Sequence, residues 1–386
     1  MPDGINETSE VFKTSEVFGK TSEVFGKTSE VFDKTSEVFD KSRSLTKIKD
    51  NEGIMKNVCV KMMMCLLIVA LCSGQGIAKE PPQPVTIQLN WVTNVEFAGI
   101  LLAKERGWYE EAGIDLTVRQ WKKGISVVGE VVNGKVQIGV TEGPQIIGAK
   151  ARGEKIRAFS VQFQKSPYCL ISKKDRGIEK PEHLKGKKIG TKMPASILMS
   201  KIVLANAGLK YEDVIPVKTG WDIQPLIDDE VDVFPGYMNQ EPSDMEKKGH
   251  DVTYIPAFKH GYDFYSAVYF VTETMIQKRP IMLRKFLKVT LRGWEQSFKD
   301  PGITANLVVE KYYPKGSVSQ QTKSLKMFKF LARLGEGRKY LGWMEERFWA
   351  RGIDILHKFG QIDRKIPADD VFTMKFLESV YFGKKK

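Results

Sequence analysis

Beyond Pro84 the apolar residues fall into two alternating rhythms. Short apolar runs predict strands over residues 85–91, 115–121, 136–141, 157–163, 188–191, 231–234 and 266–271. Between them, apolar residues recur at three- and four-residue spacing, as over 96–106 and 125–133, and predict helices. Gly107, Gly113, Gly134, Gly153 and Gly208 stop or turn the chain between these segments. Strands alternating with helices imply an α/β fold whose mostly parallel sheets are flanked by helices. From Lys285 onward the pattern is mainly helical. There Trp294, Phe298, Phe328, Trp343, Phe348 and Trp349 are expected in the core rather than at a ligand.

The first 78 residues break this pattern twice. The unit Thr-Ser-Glu-Val-Phe begins at Thr8, Thr14, Thr21, Thr28 and Thr35, mostly seven residues apart. Its Val and Phe are adjacent rather than three or four apart, so the period does not make a coiled coil. Residues 1–54 are expected to be a disordered extension upstream of the true start, Met55. Residues 55–78 carry the marks of a secretory signal: Lys56 and Lys61, then an apolar stretch from Met62 to Leu71, then Gly76-Ile77-Ala78 as a cleavage site. That stretch is too short to span a bilayer comfortably. Cys72 opens the alternative of a lipid anchor, although Leu71 is bulkier than the small residue such a site prefers. The expected location is periplasmic or otherwise extracytoplasmic.

Length and composition narrow the rest. At 386 residues the chain has room for two domains, or for one domain of two lobes around a cleft. Its 28% charged and 42% hydrophobic residues are ordinary for a globular protein. A net charge of +13 invites a nucleic-acid reading. The lysines and arginines are scattered, however, and the densest run is the terminal Lys384-Lys385-Lys386, so no nucleic-acid partner is expected. A basic exported protein would still be drawn weakly to anionic lipid surfaces. Three of the four cysteines (Cys59, Cys65, Cys72) lie in or beside the signal, which leaves Cys169 without an intramolecular partner after cleavage. His183, His250, His260 and His357 show no metal-ligand spacing, so no metal is expected.

Three passages stand in a telling order. The first is Leu89-Asn90-Trp91-Val92-Thr93-Asn94-Val95-Glu96-Phe97-Ala98-Gly99, with Ala103-Lys104-Glu105-Arg106-Gly107-Trp108-Tyr109 and Ala112-Gly113-Ile114-Asp115 behind it. The second is Leu184-Lys185-Gly186-Lys187-Lys188-Ile189-Gly190. The third is Gly236-Tyr237-Met238-Asn239-Gln240-Glu241-Pro242, followed by Gly249-His250-Asp251-Val252. Together they resemble the periplasmic solute-binding proteins of the thiamine-pyrimidine-precursor, sulfonate, taurine and nitrate uptake group, over residues 85–310. The resemblance implies a two-lobed fold of the periplasmic-binding-protein type, with lobe 1 from residues 85–172 and 268–386 and lobe 2 from 173–267. It also implies a monomer without cofactor that closes on a small solute and delivers it to the permease and ATPase subunits of an ABC importer.

Candidate ligand residues follow from the rule that open α/β sheets bind beyond the carboxyl ends of their strands. Trp91 ends the first strand and is placed to stack on a flat ring, or simply to pack under the next helix. Asn94 and Phe97 share its junction. Glu142 suits an amino group, or is only a helix-start carboxylate. Ser196 is either a helix N-cap or a ligand contact. Tyr237, Asn239 and Glu241 follow a buried run. A ring held between Trp91 and Tyr237, with Asn239 and Glu241 on its polar edge, would suit an aminopyrimidine. Glu241 read structurally is a helix N-terminal carboxylate beside Pro242.

Two rival classes remain. Thiamine-pyrimidine synthases resemble these binders but use a cysteine-rich motif, which a chain left with Cys169 alone lacks. No nucleophile elbow, P-loop or dinucleotide fingerprint is present, so no catalysis is expected. Sensory modules share the 89–99 passage, but no signalling domain follows it here.

Overall fold

A computed structural model describes residues 62–63 and 81–383. The predicted repeat and, apart from Met62 and Met63, the predicted signal lie outside the described residues. The chain divides after Lys79, and the unit Glu80–Lys386 carries the fold.

Among its described residues ten strands build this unit. β1 (Gln83–Gln88), β2 (Ile114–Arg119), β3 (Ile138–Thr141), β4 (Ile156–Phe163) and β10 (Ser266–Thr272) form a five-stranded sheet in the order β2-β1-β3-β10-β4. β1 lies parallel to β2 and β3, because helices connect them, whereas β10 is antiparallel to both of its neighbours. The second half repeats this plan. β6 (Lys188–Thr191) runs parallel to β7 (Ile215–Lys218), and β5 (Tyr168–Lys173) is antiparallel to β8 (Phe234–Tyr237) and β9 (Val252–Pro256). A parallel bridge from Ile189 to Val233 joins the two groups. The resulting order β7-β6-β8-β5-β9 mirrors the first sheet position by position.

The sheets are therefore mixed. Parallel pairing is confined to strands linked through helices, and the strands that cross between halves, β5 and β10, run antiparallel. The chain crosses at 164–167 and again at 257–265. The first crossing comes earlier than the predicted boundary near 173, because all of β5 already pairs in the second half. The short Ile215–Lys218 strand and the Tyr168–Lys173 and Val252–Pro256 strands escaped the sequence pattern. The predicted strand at 231–234 is displaced: Val231 and Val233 are buried and Val233 bridges Ile189, but the strand paired with β5 begins at Phe234.

The helical C-terminal part closes the first sheet. β4 lies at its edge, and Val371 and Thr373 cover Ala158 there with backbone hydrogen bonds of 2.9 Å each. As expected, Trp294, Phe298, Phe328 and Trp349 are buried, while Trp343 and Phe348 pack partly buried against the core. Among the described residues no helix is long and apolar enough to cross a membrane.

The helix Pro280–Lys299 lies so close to the helix Ala98–Glu105 that two glycines are obligatory. A Cβ on Gly293 would sit 2.0 Å from the Gly99 carbonyl oxygen, and one on Gly99 would sit 2.3 Å from the Trp294 ring. Gly293→Ala is expected to destabilise the protein by about 3 kcal/mol through overpacking. Thermal unfolding should show a drop of several degrees; an unchanged midpoint would mean that the helices can separate freely.

Candidate functional site

Six strand ends converge on one cleft. From the first sheet, β1 leads into Asn90 and Trp91, β2 into Trp121, and β3 into Glu142. From the second, β6 leads into Lys192, β7 into Trp221, and β8 ends at Tyr237 just before Glu241. Carboxyl ends of parallel strands gather here because each chain leaves its sheet at this edge to enter a helix.

Three tryptophans form one wall. Trp91 stacks on Trp121 with centroids 5.7 Å apart and planes 19° apart, and its other neighbour is Trp221 at 5.6 Å and 39°. Trp121 is fixed to the first sheet's side, its N–H donating to the Trp91 carbonyl and its indole Nε1–H to Ile125. Trp221 comes from the second sheet's side and remains 54% exposed. An aromatic guest between Trp91 and Trp221 needs about 7 Å, two carbon–carbon contact distances, so Trp221 must withdraw slightly to admit it.

The floor is acidic. Glu142 precedes the helix Gly143–Ala151 and accepts hydrogen bonds from Ser266, from the Ala267 N–H and, at 3.2 Å, from Asn90 Nδ2. Ala267 holds φ +49°, a strained value for a residue with a Cβ, and in that conformation its N–H meets the carboxylate. Burial nevertheless pushes the Glu142 carboxyl up to about 7. Burial, with the Glu142 charge nearby, pushes Glu96 up to about 8. Neither carboxylate has an ion-pair partner among the described residues, and Asn90 Oδ1 is buried without a hydrogen bond. Tyr168, Tyr237 and Tyr262 border this floor; burial and then neighbouring groups, Glu142 among them, raise all three phenols above their ordinary range.

The predicted residues divide sharply. Trp91 stands half-buried in the tryptophan wall, Glu142 on the floor, and Tyr237 at the border. Tyr237 stacks on Tyr168 at 4.5 Å and 29°, so one of its faces is already taken by a ring of the protein. Glu241 is not free to meet an amine: its Oε1 lies 2.9 Å from Lys192 Nζ and its Oε2 accepts from the Tyr237 N–H at 2.8 Å. Lys192 also sits 4.2 Å over the Phe234 ring. Ser196 is not the N-cap, which is Met193, but the third helical residue of a capping box. It is buried in the first helical turn, where its Oγ accepts from the N–H groups of Lys192 and Met193 and donates to the Met193 carbonyl. Phe97 closes the turn Val95–Phe97 into the core, because Asn94 caps that turn through Glu96 N–H at 2.7 Å.

Asn94 and Asn239 meet elsewhere, in a polar cavity of about 170 Å³ beside Trp91. Here the halves touch. Gln320 donates to Asp244 Oδ1 at 2.8 Å and accepts from Lys247, while Ser324 donates to the Asn239 carbonyl at 2.8 Å. The next residue, Gln321, accepts from the Val95 N–H at 3.2 Å and so holds the loop that carries Trp91.

Glu96, Asn90, Lys192, Trp121, Trp221 and Tyr168 were not among the predicted site residues. Trp121 was within reach, because the strand-end rule that selects Trp91 selects it equally. Cys169 is buried in β5 with its thiol pushed well up by burial. No group of three or more potential metal ligands occurs among the described residues.

A family described as NMT1/THI5 like matches residues 94–303, more than half of the chain. The riboflavin-binding protein RibY of Chloroflexus aurantiacus is 22% identical over 310 residues, covering 78% of this chain and 88% of RibY. The formylaminopyrimidine-binding protein of Halalkalibacterium halodurans is 19% identical over 323 residues, with coverages of 81% and 97%. A 4-amino-5-hydroxymethyl-2-methylpyrimidine phosphate synthase of Legionella pneumophila is 24% identical over 221 residues, with coverages of 56% and 70%. Among solved structures, the periplasmic aliphatic sulphonate binding protein SsuA of Escherichia coli matches with a TM-score of 0.62 at 13% identity, covering 76% of this chain and 92% of SsuA. The architecture is thus the α/β periplasmic-binding-protein fold, with mixed sheets and a helical C-terminal part.

Proposed function

The chain belongs to the NMT1/THI5-like family, and from that premise we propose that it is the solute-binding component of an ABC-type importer for a flat nitrogen heterocycle. It works outside the cytoplasm and passes its closed, loaded form to a membrane permease driven by a separate ATPase. The observation that carries the ligand class is the acidic floor. Two carboxyl groups without a cationic partner, of which Glu142 ionises first, offer a sulfonate or nitrate no positive charge and favour a guest that brings N–H donors.

An aminopyrimidine is the first choice. Near neutral pH Glu96 keeps its proton and can donate to a ring nitrogen, while ionised Glu142 accepts from the exocyclic amine. Trp91 supplies the stacking face. Relatives named for formylaminopyrimidine and riboflavin binding fit a heterocycle reading, and the SsuA likeness bears on fold alone. The synthase relatives mark the alternative of catalysis. Against it stands Cys169, buried in a strand and the only cysteine among the described residues.

Thermal unfolding with a ligand panel tests the reading. A ligand that binds only the native state stabilises it by about 2.7 kcal/mol at a hundred times its dissociation constant. Aminopyrimidines are expected to raise the midpoint, and alkanesulfonates, taurine and nitrate to leave it unmoved. A shift with sulfonates alone would overturn the ligand class.

A further inference from the structure

The polar cavity beside Trp91 has no part in holding a bare ring, yet it is built from both halves of the cleft. We infer that the cleft accepts a two-part ligand: a flat ring against Trp91, and an uncharged hydrogen-bonding chain, hydroxylated or amide-bearing, in this cavity. The inference rests on the heterocycle reading of the cleft and specifies what the ring carries.

Three observations point the same way. The cavity holds about 170 Å³ and shares Trp91 with the aromatic wall, so a substituent on a stacked ring enters it directly. Its lining offers several unspent groups. The side chains of Asn239 and Gln240 have no hydrogen-bond partner among the described residues, and Asn94 and Gln321 use only their oxygens, leaving both amide nitrogens to donate. Neutral amides presented as both donors and acceptors match hydroxyl or amide groups, which also do both.

Charge settles what the chain does not carry. No lysine or arginine lines the cavity, and its one acidic lining residue, Asp244, is held by Gln320 and by Lys247, whose Nζ lies 3.9 Å from Oδ1. Lys247 reaches Gln320 from outside the lining. A phosphate or sulfonate at the end of the chain would meet neutral amides and an acid already paired with Lys247, with no lysine or arginine of the lining to receive it.

The cavity also accounts for how such a ligand closes the protein. Gln320 ties the helix Val318–Ala332 to Asp244 of the other half, and Gln321 ties the same helix to the Trp91 loop. A chain lying between Asn94 and Asn239 bridges the two halves where these ties already meet.

Calorimetry with three flavin probes decides the matter, because they share a ring and differ only in its substituent. Riboflavin carries a ribityl chain, lumiflavin a methyl group, and riboflavin phosphate the same chain with a terminal charge. A second pair, hydroxymethyl-aminopyrimidine and its methyl analogue, repeats the comparison on the smaller ring. The chain-bearing neutral probe of whichever ring binds should be about tenfold tighter than its methyl analogue, the effect of one or two net hydrogen bonds. The phosphate should weaken binding relative to riboflavin. Gln240→Ala and Asn239→Ala should each narrow the ratio between chain-bearing and methyl probes. Equal affinities for the neutral pair, or tighter binding of the phosphate, would overturn the two-part ligand while leaving the heterocycle reading intact. Failure of every ring to bind would overturn both.

Discussion

Trp91→Ala is expected to raise the dissociation constant for the bound heterocycle about thirtyfold. Loss of a single aromatic stacking surface removes roughly 2 kcal/mol, within the range measured for bases on aromatic side chains. The effect should fall on binding rather than folding, because Trp91 is half-buried at the cleft wall and not in the core. Its neighbours give the comparison its force. Trp221, 54% exposed and belonging to the opposite half, meets Trp91 only across the cleft. Trp221→Ala should therefore weaken binding through loss of the second face and leave the unfolding midpoint near its starting value. Trp121→Ala removes a ring that backs Trp91 at 5.7 Å from the same sheet, so it should loosen Trp91 and lower both affinity and stability. Fluorescence titration of the three variants reads all of this. Wild-type affinity in Trp91→Ala would remove stacking from the mechanism and leave the acidic floor alone to hold the ligand.

Why one tryptophan was legible and another was not comes down to the strands that carry them. β1 alternates Val85, Thr86 and Ile87 and runs on to Leu89, with its residues from Val85 almost all buried, so its end, and hence Trp91, could be located from pattern alone. β7, Ile-Pro-Val-Lys, is short, contains Pro216 and is largely exposed, so no alternation marks it and the strand end at Trp221 stays hidden. Tyr237 was placed correctly at the end of a buried run, but its partner could not be. Tyr168 lies on a crossing strand whose pairing in the other half depends on the whole topology. Glu96 reads in sequence as an acidic residue at a helix start, an ordinary companion of the helix dipole. Only its position near Glu142, some fifty residues along the chain, gives it a raised carboxyl. Glu241 misled for the converse reason: the lysine that neutralises it comes from the end of β6, and nothing local announces Lys192.

The two floor carboxyls should give ligand affinity a bell-shaped dependence on pH. An exocyclic amine needs Glu142 ionised, so affinity rises as the pH climbs toward about 7. A ring nitrogen needs the Glu96 proton, so affinity falls again above about 8. These two carboxyls interact, and the limbs report the pair. The bordering phenols stay protonated throughout, since each is raised above its ordinary range. Stability of the empty protein should run the other way from ordinary salt-bridged carboxylates. Both floor groups bind protons more tightly when folded than at their ordinary value of 4.5, so the native state holds more protons than the unfolded chain between about 5 and 8. Stability is then greatest at the acid end of that window and declines as the pH rises through both folded values, by roughly 3 kcal/mol once water access to the cleft is allowed for. Glu96→Gln keeps a donor that cannot ionise, so it should flatten the alkaline limb of binding and part of the stability decline. Glu142→Gln keeps an acceptor without its charge, and should lower the maximum affinity while flattening the acid limb. Calorimetric titrations from pH 5.5 to pH 9, as roughly the span of both limbs, separate the two variants. Affinity that is flat across this range in the wild-type protein would show that neither carboxyl meets the ligand.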